Sequence, residues 1–300
     1  MKIIYGFSIV SSFFGLWITS LLPKSFELVL GFVLIFSFGM IHGSNDILII
    51  KRLSNAPKDN FVKVLLTYLF VVSLAIIVFY FVPGLALLLF VVFSSYHFGE
   101  QHWENKMNNL NERLKRVFFF SYGLLILYLV FYFNIKSVIG IIYDITGFKI
   151  INIYTTEVIS ILIVILSLIS SVAIYKKFID IKSFLKEIFL ILVLSIIFNA
   201  SSLIWGFTIY FIIWHSIPSL VDQISFIYGS FNKSNILKYT KDALPFWLVS
   251  ILGIFILFLI FKDEKHFHSL FFAFIAAVTF PHAIVMLEMF SKKKRSFKEK

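Results

Sequence analysis

The sequence predicts an all-α, polytopic membrane protein: a bundle of about ten transmembrane helices with both termini in the cytoplasm. Of its 300 residues, 60% are hydrophobic and only 14% are charged, whereas a soluble domain is closer to half apolar and a quarter charged. Several apolar runs reach the roughly 18 residues that a helix needs to cross a bilayer. The formal net charge of +11 then reflects Lys and Arg flanking membrane spans, and we expect no nucleic-acid partner.

The apolar runs, and the turn signals between them, predict the position of each span. The predicted spans are residues 3–22, 26–50, 62–82, 84–103, 117–135, 157–175, 187–200, 203–226, 243–261 and 269–291. Roughly four fifths of the 27 Lys and Arg residues lie on the same side of these spans as the N-terminus, which predicts that this side is cytoplasmic. Removing an adjacent pair of spans would preserve this asymmetry, so a count of about eight satisfies it equally.

The chain reads as one transmembrane domain over residues 1–291, containing an intramembrane metal site, followed by a basic cytoplasmic tail over residues 292–300. The N-terminal apolar stretch is long for a signal peptide and lacks a small-residue cleavage site, so we expect it to be the first span. The absence of cysteine excludes disulfides and thiolate metal ligands. His, Asp and Glu are left as candidate ligands.

Four of the apolar runs carry a histidine: His42, His97, His215 and His282. Their predicted spans all run from outside to inside, and each histidine lies about 12 to 16 residues, or roughly 18–24 Å, after its span begins. A single histidine in a membrane helix is more often a hydrogen-bonding or pore residue than a ligand. Four at one depth favour a metal site, because neutral imidazoles suit Fe, Zn, Cu or Ni and ionisable groups at membrane depth usually serve a function.

Two carboxylates are predicted to orient these imidazoles, because metal-bound histidines usually donate their second N–H to a carboxylate or carbonyl. Asp46 follows His42 by four residues and Glu100 follows His97 by three, which places each on the face of its histidine in a helix. His102 points about 140° away from His97 on an ideal helix, and we expect it near the membrane interface rather than on a metal.

Other polar residues and motifs suggest no competing chemistry. His266 and His268 fall in a predicted outer loop and are expected to be solvated, while Asp222 and Gln223 are expected to be interface polar groups. The sequence has no Gly-rich phosphate loop, no His-Glu-x-x-His and no Gly-x-Ser-x-Gly. Its 39 Phe residues are compatible with a long apolar substrate, although most are expected to face lipid.

Short motifs around the histidines carry a resemblance that runs from about residue 35 to 290. They are His42-Gly43-Ser44-Asn45-Asp46, Tyr96-His97-Phe98-Gly99-Glu100, Tyr210-Phe211-Ile212-Ile213-Trp214-His215-Ser216 and Pro281-His282. In this order, within an all-helical membrane protein, the chain resembles the Brp/Blh family of bacterial and archaeal β-carotene 15,15′-dioxygenases.

The resemblance implies a multi-pass enzyme of the bacterial cytoplasmic (inner) membrane that binds non-haem Fe(II). With O₂ it would cleave the central double bond of β-carotene, or a related carotenoid, to retinal that serves a rhodopsin. His42, His97 and His215 match histidines that the family needs. Many members carry another histidine four residues after the last of these, where this chain has Ser219. Either His282 completes the ligand set with His42, His97 and His215, or the chain is a divergent member of the family. Asp46, Glu100 and Ser219 would lie around the metal.

A different class of function also fits the sequence. A transporter or channel for a metal ion or protons could use the histidine layer as its relay. Pro218 and Pro281 lie beside two of the histidines and could unwind helices there, as in many transporters. A membrane protein with incidental histidines would bind no metal at all.

Overall fold

The computed structural model describes residues 2–54, 61–107, 110–261 and 267–298. Within these ranges the regular structure is helical and no strand occurs, so the all-α prediction is confirmed. The helices are α1 (Lys2–Leu21), α2 (Lys24–Leu34), α3 (Asp46–Ser54), α4 (Phe61–Phe81), α5 (Pro83–Trp103), α6 (Glu112–Phe133), α7 (Ile135–Thr146), α8 (Thr155–Tyr175), α9 (Ile181–Ala200), α10 (Leu203–Ile209), α11 (Ile217–Tyr228), α12 (Lys233–Phe261) and α13 (Phe267–Lys298). Two π-helical turns, π1 (Ile35–Gly39) and π2 (Tyr210–Ser216), and a short 3₁₀ turn (Glu104–Lys106) complete them.

Seven helical segments of the described chain are long and apolar enough to cross a membrane. They lie in α4, α5, α6, α8, the run from α10 through π2 to α11, α12 and α13. Of the other predicted spans, α1 offers only Tyr5–Leu21 as an apolar helix. Helix α9 carries Lys182, Lys186 and Glu187 near its start, which shortens its apolar part. Large apolar side chains are exposed along α4 and α8, as expected of surfaces that face lipid.

The single helix predicted over residues 26–50 is wrong. The chain passes from α2 through π1 into a turn at residues 42–45, and α3 begins only at Asp46. Hydrogen bonds between residues three apart replace the helical ones between residues four apart. They run from Gly43 N–H to the Met40 carbonyl (3.2 Å) and from Ser44 N–H to the Ile41 carbonyl (3.3 Å). Gly favours such turns because it has no side chain to restrict its backbone. Ser and Asn favour them because their side chains compete for backbone hydrogen bonds.

Two other expectations about the helices differ from the structure. Pro218 and Pro281 do not interrupt their helices, since α11 and α13 continue past them. Pro218 has no N–H for the carbonyl of Trp214, four residues earlier, and the wider turn π2 lies in that preceding segment. The predicted outer loop after the fifth span also contains a helix, α7.

The chain divides into two compact units. The first comprises the residues up to Ile35, Ser94–Gly140 and Lys149–Pro218. Within it, α6 packs against α8 and α9, α10 packs against α2, and α1 packs against α9 and π2. Its core comes mainly from one face each of α6 and α9. The most buried of these side chains are Phe118, Phe119, Ile126, Leu190, Leu194, Ile197 and Phe198.

Two glycines let α5 and α6 approach until their backbones touch. A Cβ atom at Gly99 would overlap the carbonyl oxygen of Phe119, and one at Gly123 would overlap the carbonyl oxygen of Ser95. Small residues allow such close helix packing in membranes, where apolar lipid gives no hydrophobic drive for helices to associate. Because Gly99 lies two residues after His97, this contact sets the position of that histidine against α6.

We expect Gly99→Ala to destabilise the protein by about 3 kcal/mol, because the new methyl group meets backbone rather than a flexible side chain. Thermal unfolding in detergent, monitored by circular dichroism, measures the loss. Gly84→Ala is the matched control on the same helix, since no atom lies within 4 Å of its added Cβ. Equal melting temperatures for the two variants would contradict the close contact.

The second unit comprises Phe36–Phe93, Ile141–Phe148 and the chain from Ser219 onward. Helix α13 packs against α3, α4 and α12. One apolar cluster joins Ile49 to Val285, Met286, Met289 and Phe290, and another joins Phe79 and Ala86 to Ala276. Lys292 Nζ donates to the carbonyls of Arg52 (2.9 Å) and Leu53 (2.7 Å), which places a cation at the C-terminal end of α3, where the helix dipole favours it.

Candidate metal centre

The second unit brings together His42, the first residue of the turn at residues 42–45, and His282 on α13. Their ring centroids are 4.8 Å apart and the rings are nearly perpendicular, at 87°. Both side chains are buried, each about 4% exposed. Gly43 follows His42 directly, and a Cβ there would stand 3.7 Å from His282 Nδ1, so the turn passes close to the second ring.

Hydrogen bonds fix the tautomers of these two imidazoles. His42 Nδ1 donates to the carbonyl oxygen of Gly39, within π1. His282 Nδ1 donates to Asp46 Oδ1 over 2.8 Å. A carbonyl or an ionised carboxylate only accepts, so each Nδ1 carries the proton and the lone pair of the neutral ring lies on Nε2. A metal-binding histidine is oriented in this way by its second ring nitrogen.

Asp46 accepts a second hydrogen bond, from the Tyr68 hydroxyl to Oδ2 over 2.9 Å. The carboxylate is 1% exposed, and it is held by α4 on one side and α13 on the other. The sequence predicted that Asp46 would share a helix face with His42. This is wrong, because the turn at residues 42–45 ends the helix between them, and Asp46 bonds His282 instead.

The first unit brings together His97 on α5 and His215 in π2. Their ring centroids are also 4.8 Å apart, with the rings at 80°, and each side chain is 1% exposed. Aromatic rings surround His215: Phe98 lies at 4.7 Å and Phe211 stacks on it at 5.4 Å, with an interplanar angle of 20°. The pair therefore lies in an apolar, water-poor environment.

Tryptophan anchors hold the π2 segment against α1. Trp214 Nε1 donates to Ser12 Oγ (2.8 Å), and the Trp214 ring meets Tyr5 edge to face at 5.5 Å. One helical turn earlier than π2, Trp205 Nε1 donates to the Gly15 carbonyl (3.2 Å). These contacts fix the orientation of Trp214, the residue next to His215, and so restrict the directions in which the His215 ring can point.

Glu100 and His102 lie on α5 beyond His97. Glu100 is 3% exposed, and within the described chain its Oε2 has no hydrogen-bond partner. The orienting role predicted for it stays a prediction. His102 Nε2 is 2.6 Å from Glu187 Oε2, and Lys106 Nζ is 2.7 Å from Glu187 Oε1. His102 is thus part of an ion-pair cluster on α5 and α9.

Ser219 lies at the start of α11 and is fully buried. Its Oγ accepts a hydrogen bond from Gln223 Nε2 over 2.9 Å. Gln223 is fully buried too, and its predicted place near the membrane interface stays a prediction. Its neighbour Asp222 pairs with Lys293 at 3.1 Å and is partly exposed. His266 and the side chain of His268 lie outside the described part of the structure.

Sequence reasoning missed three residues that contact the predicted ones. They are Tyr68 on Asp46, Glu187 on His102, and Tyr239, whose hydroxyl donates to Gln223 Oε1 over 2.7 Å. Each lies on a different helix from its partner and far from it in sequence. Helical periodicity relates residues on one helix only, so no spacing rule points to these contacts.

The donor set fits a metal such as iron. Within the second unit, the buried imidazoles of His42 and His282, each with Nδ1 bonded to an oxygen acceptor, match the imidazole ligands and orienting partners of first-row transition-metal sites. The described chain has no cysteine to favour a thiolate-bound metal.

Comparison with known proteins gives one finding at the level of the family. No curated protein and no solved structure matches the chain. The sequence model of the family described as beta-carotene 15,15'-dioxygenase matches residues 33–290, which include all four histidines and both histidine pairs. With most of its length matched, and with the motifs that carried the resemblance lying inside that match, the chain belongs to the beta-carotene 15,15'-dioxygenase family.

Proposed function

We propose that the chain is an intramembrane, Fe(II)-dependent dioxygenase that cleaves β-carotene, or a related carotenoid, with O₂ to retinal. The observation that carries the proposal is the family match over residues 33–290. Two buried histidine pairs within that range support it. Cleavage of β-carotene at the central double bond consumes one O₂ and places one oxygen atom on each of the two carbons, which yields two retinals.

The iron ligands that we propose are His42, His97, His215 and His282. Their common predicted depth in the membrane, and the protonated Nδ1 atoms of His42 and His282, support this set. Bound ferrous iron would supply the activation of O₂, which needs coordination positions that the protein leaves open. Asp46 and the Gly39 carbonyl hold protons on the Nδ1 atoms and so keep both Nε2 lone pairs available.

The aromatic side chains around His215 would serve the substrate. Phe98 and Phe211 cover the imidazole with apolar surface, which excludes water and suits a polyene that has no polar group along its chain. In this proposal the protein binds and orients the substrate and excludes water from the site.

We further propose that both termini lie in the cytoplasm and that the protein resides in the bacterial cytoplasmic membrane. The asymmetry of Lys and Arg along the sequence supports this orientation. Seven membrane-length helices in the described chain support an integral membrane protein. Fusions of alkaline phosphatase to each predicted loop would test the orientation, because the enzyme is active only outside the cytoplasm.

Expression in a bacterium that accumulates β-carotene tests the function directly. We expect the orange colour to fade and retinal to appear in cell extracts analysed by liquid chromatography. Cells that express His97→Ala should stay orange, because a proposed ligand is missing. Unchanged colour with the intact chain, together with altered uptake of iron or zinc, would favour the transport hypothesis instead.

A further inference from the structure

Tyr239 on α12 makes contacts that the proposed function has not used. The side chain is 1% exposed. Its hydroxyl donates to Gln223 Oε1 at 2.7 Å and lies 3.2 Å from the carbonyl oxygen of His42. Gln223 in turn donates to Ser219 Oγ. A continuous chain of buried polar groups thus leads from Ser219 on α11 to the backbone of His42.

The same residue also contacts the other end of the turn at residues 42–45. The backbone carbonyl of Tyr239 accepts a hydrogen bond from Asn45 Nδ2 over 3.0 Å. Tyr239 therefore binds the first and the last residue of this turn, with its side chain and its main chain respectively. The apolar side chains of Ile224 and Ala243 pack around it, with Ile41 beside them.

This turn needs external support. It is held internally by hydrogen bonds of 3.2–3.3 Å, from Gly43 to Met40, from Ser44 to Ile41 and from Asp46 to Gly43. Backbone outside a regular helix is tolerated at membrane depth only where protein groups satisfy it. Loss of the Tyr239 contact would loosen the turn at the His42 carbonyl, and the His42 ring would shift with its backbone.

We propose that Tyr239, backed by Gln223 and Ser219, is a positioning residue that holds His42 in the orientation needed for metal binding. The inference rests on the proposed function, because it assumes that His42 is a ligand. It gives Ser219 a role in this chain: where related proteins carry a further histidine, this chain has the last hydroxyl of the supporting network. Tyr239 acts through the backbone of His42 and does not itself bind the metal.

A purely structural reading makes Tyr239 one of the contacts that join α11 to α12. Another is the hydrogen bond from the Tyr228 hydroxyl to Asp242 Oδ2, at 2.6 Å. Both tyrosines join the same two helices through a hydroxyl, but only Tyr239 reaches the turn that carries His42. Tyr228→Phe is therefore a matched control for Tyr239→Phe.

The test is a titration of the purified, metal-free, full-length protein with Fe(II) in competition with a chelator. We expect Tyr239→Phe to bind iron about tenfold more weakly than the unaltered protein, and Tyr228→Phe to stay within about twofold, as loss of an orienting partner typically weakens metal affinity by 10- to 100-fold. The absorption spectrum of the Co(II)-loaded protein, which reports ligand geometry, should change in Tyr239→Phe alone.

Each of the other outcomes overturns either the inference about Tyr239 or the proposed function. Equal affinities and equal Co(II) spectra for the two variants would show that Tyr239 only ties the helices, which overturns the inference while the proposed function stands. An unaltered protein that binds no iron would overturn the proposed function itself. If Tyr239→Phe fails to fold, Asn45→Ala, which removes the turn's hydrogen bond to the Tyr239 carbonyl, should weaken iron binding severalfold, and an unchanged affinity would overturn the inference.

Discussion

Replacing His282 with alanine is expected to abolish both bound iron and retinal formation. The change removes the imidazole whose Nδ1 donates to Asp46 and with it a proposed Nε2 ligand. It also leaves the buried Asp46 carboxylate with Tyr68 as its one remaining partner among the described contacts. Metal analysis of the purified protein and chromatography of the product measure the two losses.

His102→Ala is the control for this experiment. His102 lies in the same kind of buried helical surroundings but pairs with Glu187, so its loss should lower the melting temperature and leave the iron content unchanged. One iron per chain retained in His282→Ala would show that the ligand set is wrong. The comparison matters because His282 is the member of the set that the motifs support least directly.

Asp46→Asn is expected to weaken iron binding by about 10- to 100-fold at nearly unchanged folding stability, because the amide keeps the shape of the carboxylate but not its charge. An ionised Asp46 holds the proton of His282 on Nδ1 and raises the basicity of Nε2. A neutral amide does both less well and can present an N–H to the ring instead. Chelator competition measures the affinity, and thermal unfolding measures the stability.

Asp242→Asn is the matched control, because it removes a different carboxylate. Asp242 also accepts a hydrogen bond from a tyrosine hydroxyl, that of Tyr228, but no contact of the described chain joins it to a proposed ligand. Its iron affinity should equal that of the unaltered protein. Equal affinities for both aspartate variants would mean that the tautomer of His282 does not depend on Asp46.

Composition and apolar run length were enough to predict the helical class and the place of most helices. Each predicted span other than that over residues 26–50 overlaps a described helix or a continuous helical run, because long apolar segments in a membrane must satisfy their own backbone hydrogen bonds. The break at residues 42–45 was not predicted, since a hydropathy average cannot distinguish a turn stabilised by other helices from a continuous helix. Gly43, Ser44 and Asn45 carried the local signal for it.

The sequence was enough to predict which residues form the candidate site, but not which of them contact one another. Depth along the predicted spans singled out the four histidines, and the structure pairs His97 with His215 and His42 with His282. Spacing on one helix assigned Asp46 to the wrong histidine. Tyr68 and Tyr239 had no sequence signal, because their partners lie on other helices and a tyrosine in an apolar run resembles ordinary packing.

The reciprocal backbone contact between α5 and α6 limits how this protein can diverge. Sliding α5 by one residue would bring a residue with a side chain against the carbonyl of Phe119, where only glycine fits. The height of His97 in the membrane is therefore locked, and neither glycine can be exchanged without a compensating change in the opposite helix. If the chain cleaves carotenoids as proposed, we expect a change of preferred substrate to come from side chains such as Phe98 and Phe211, which lie against His215, and not from this helix contact.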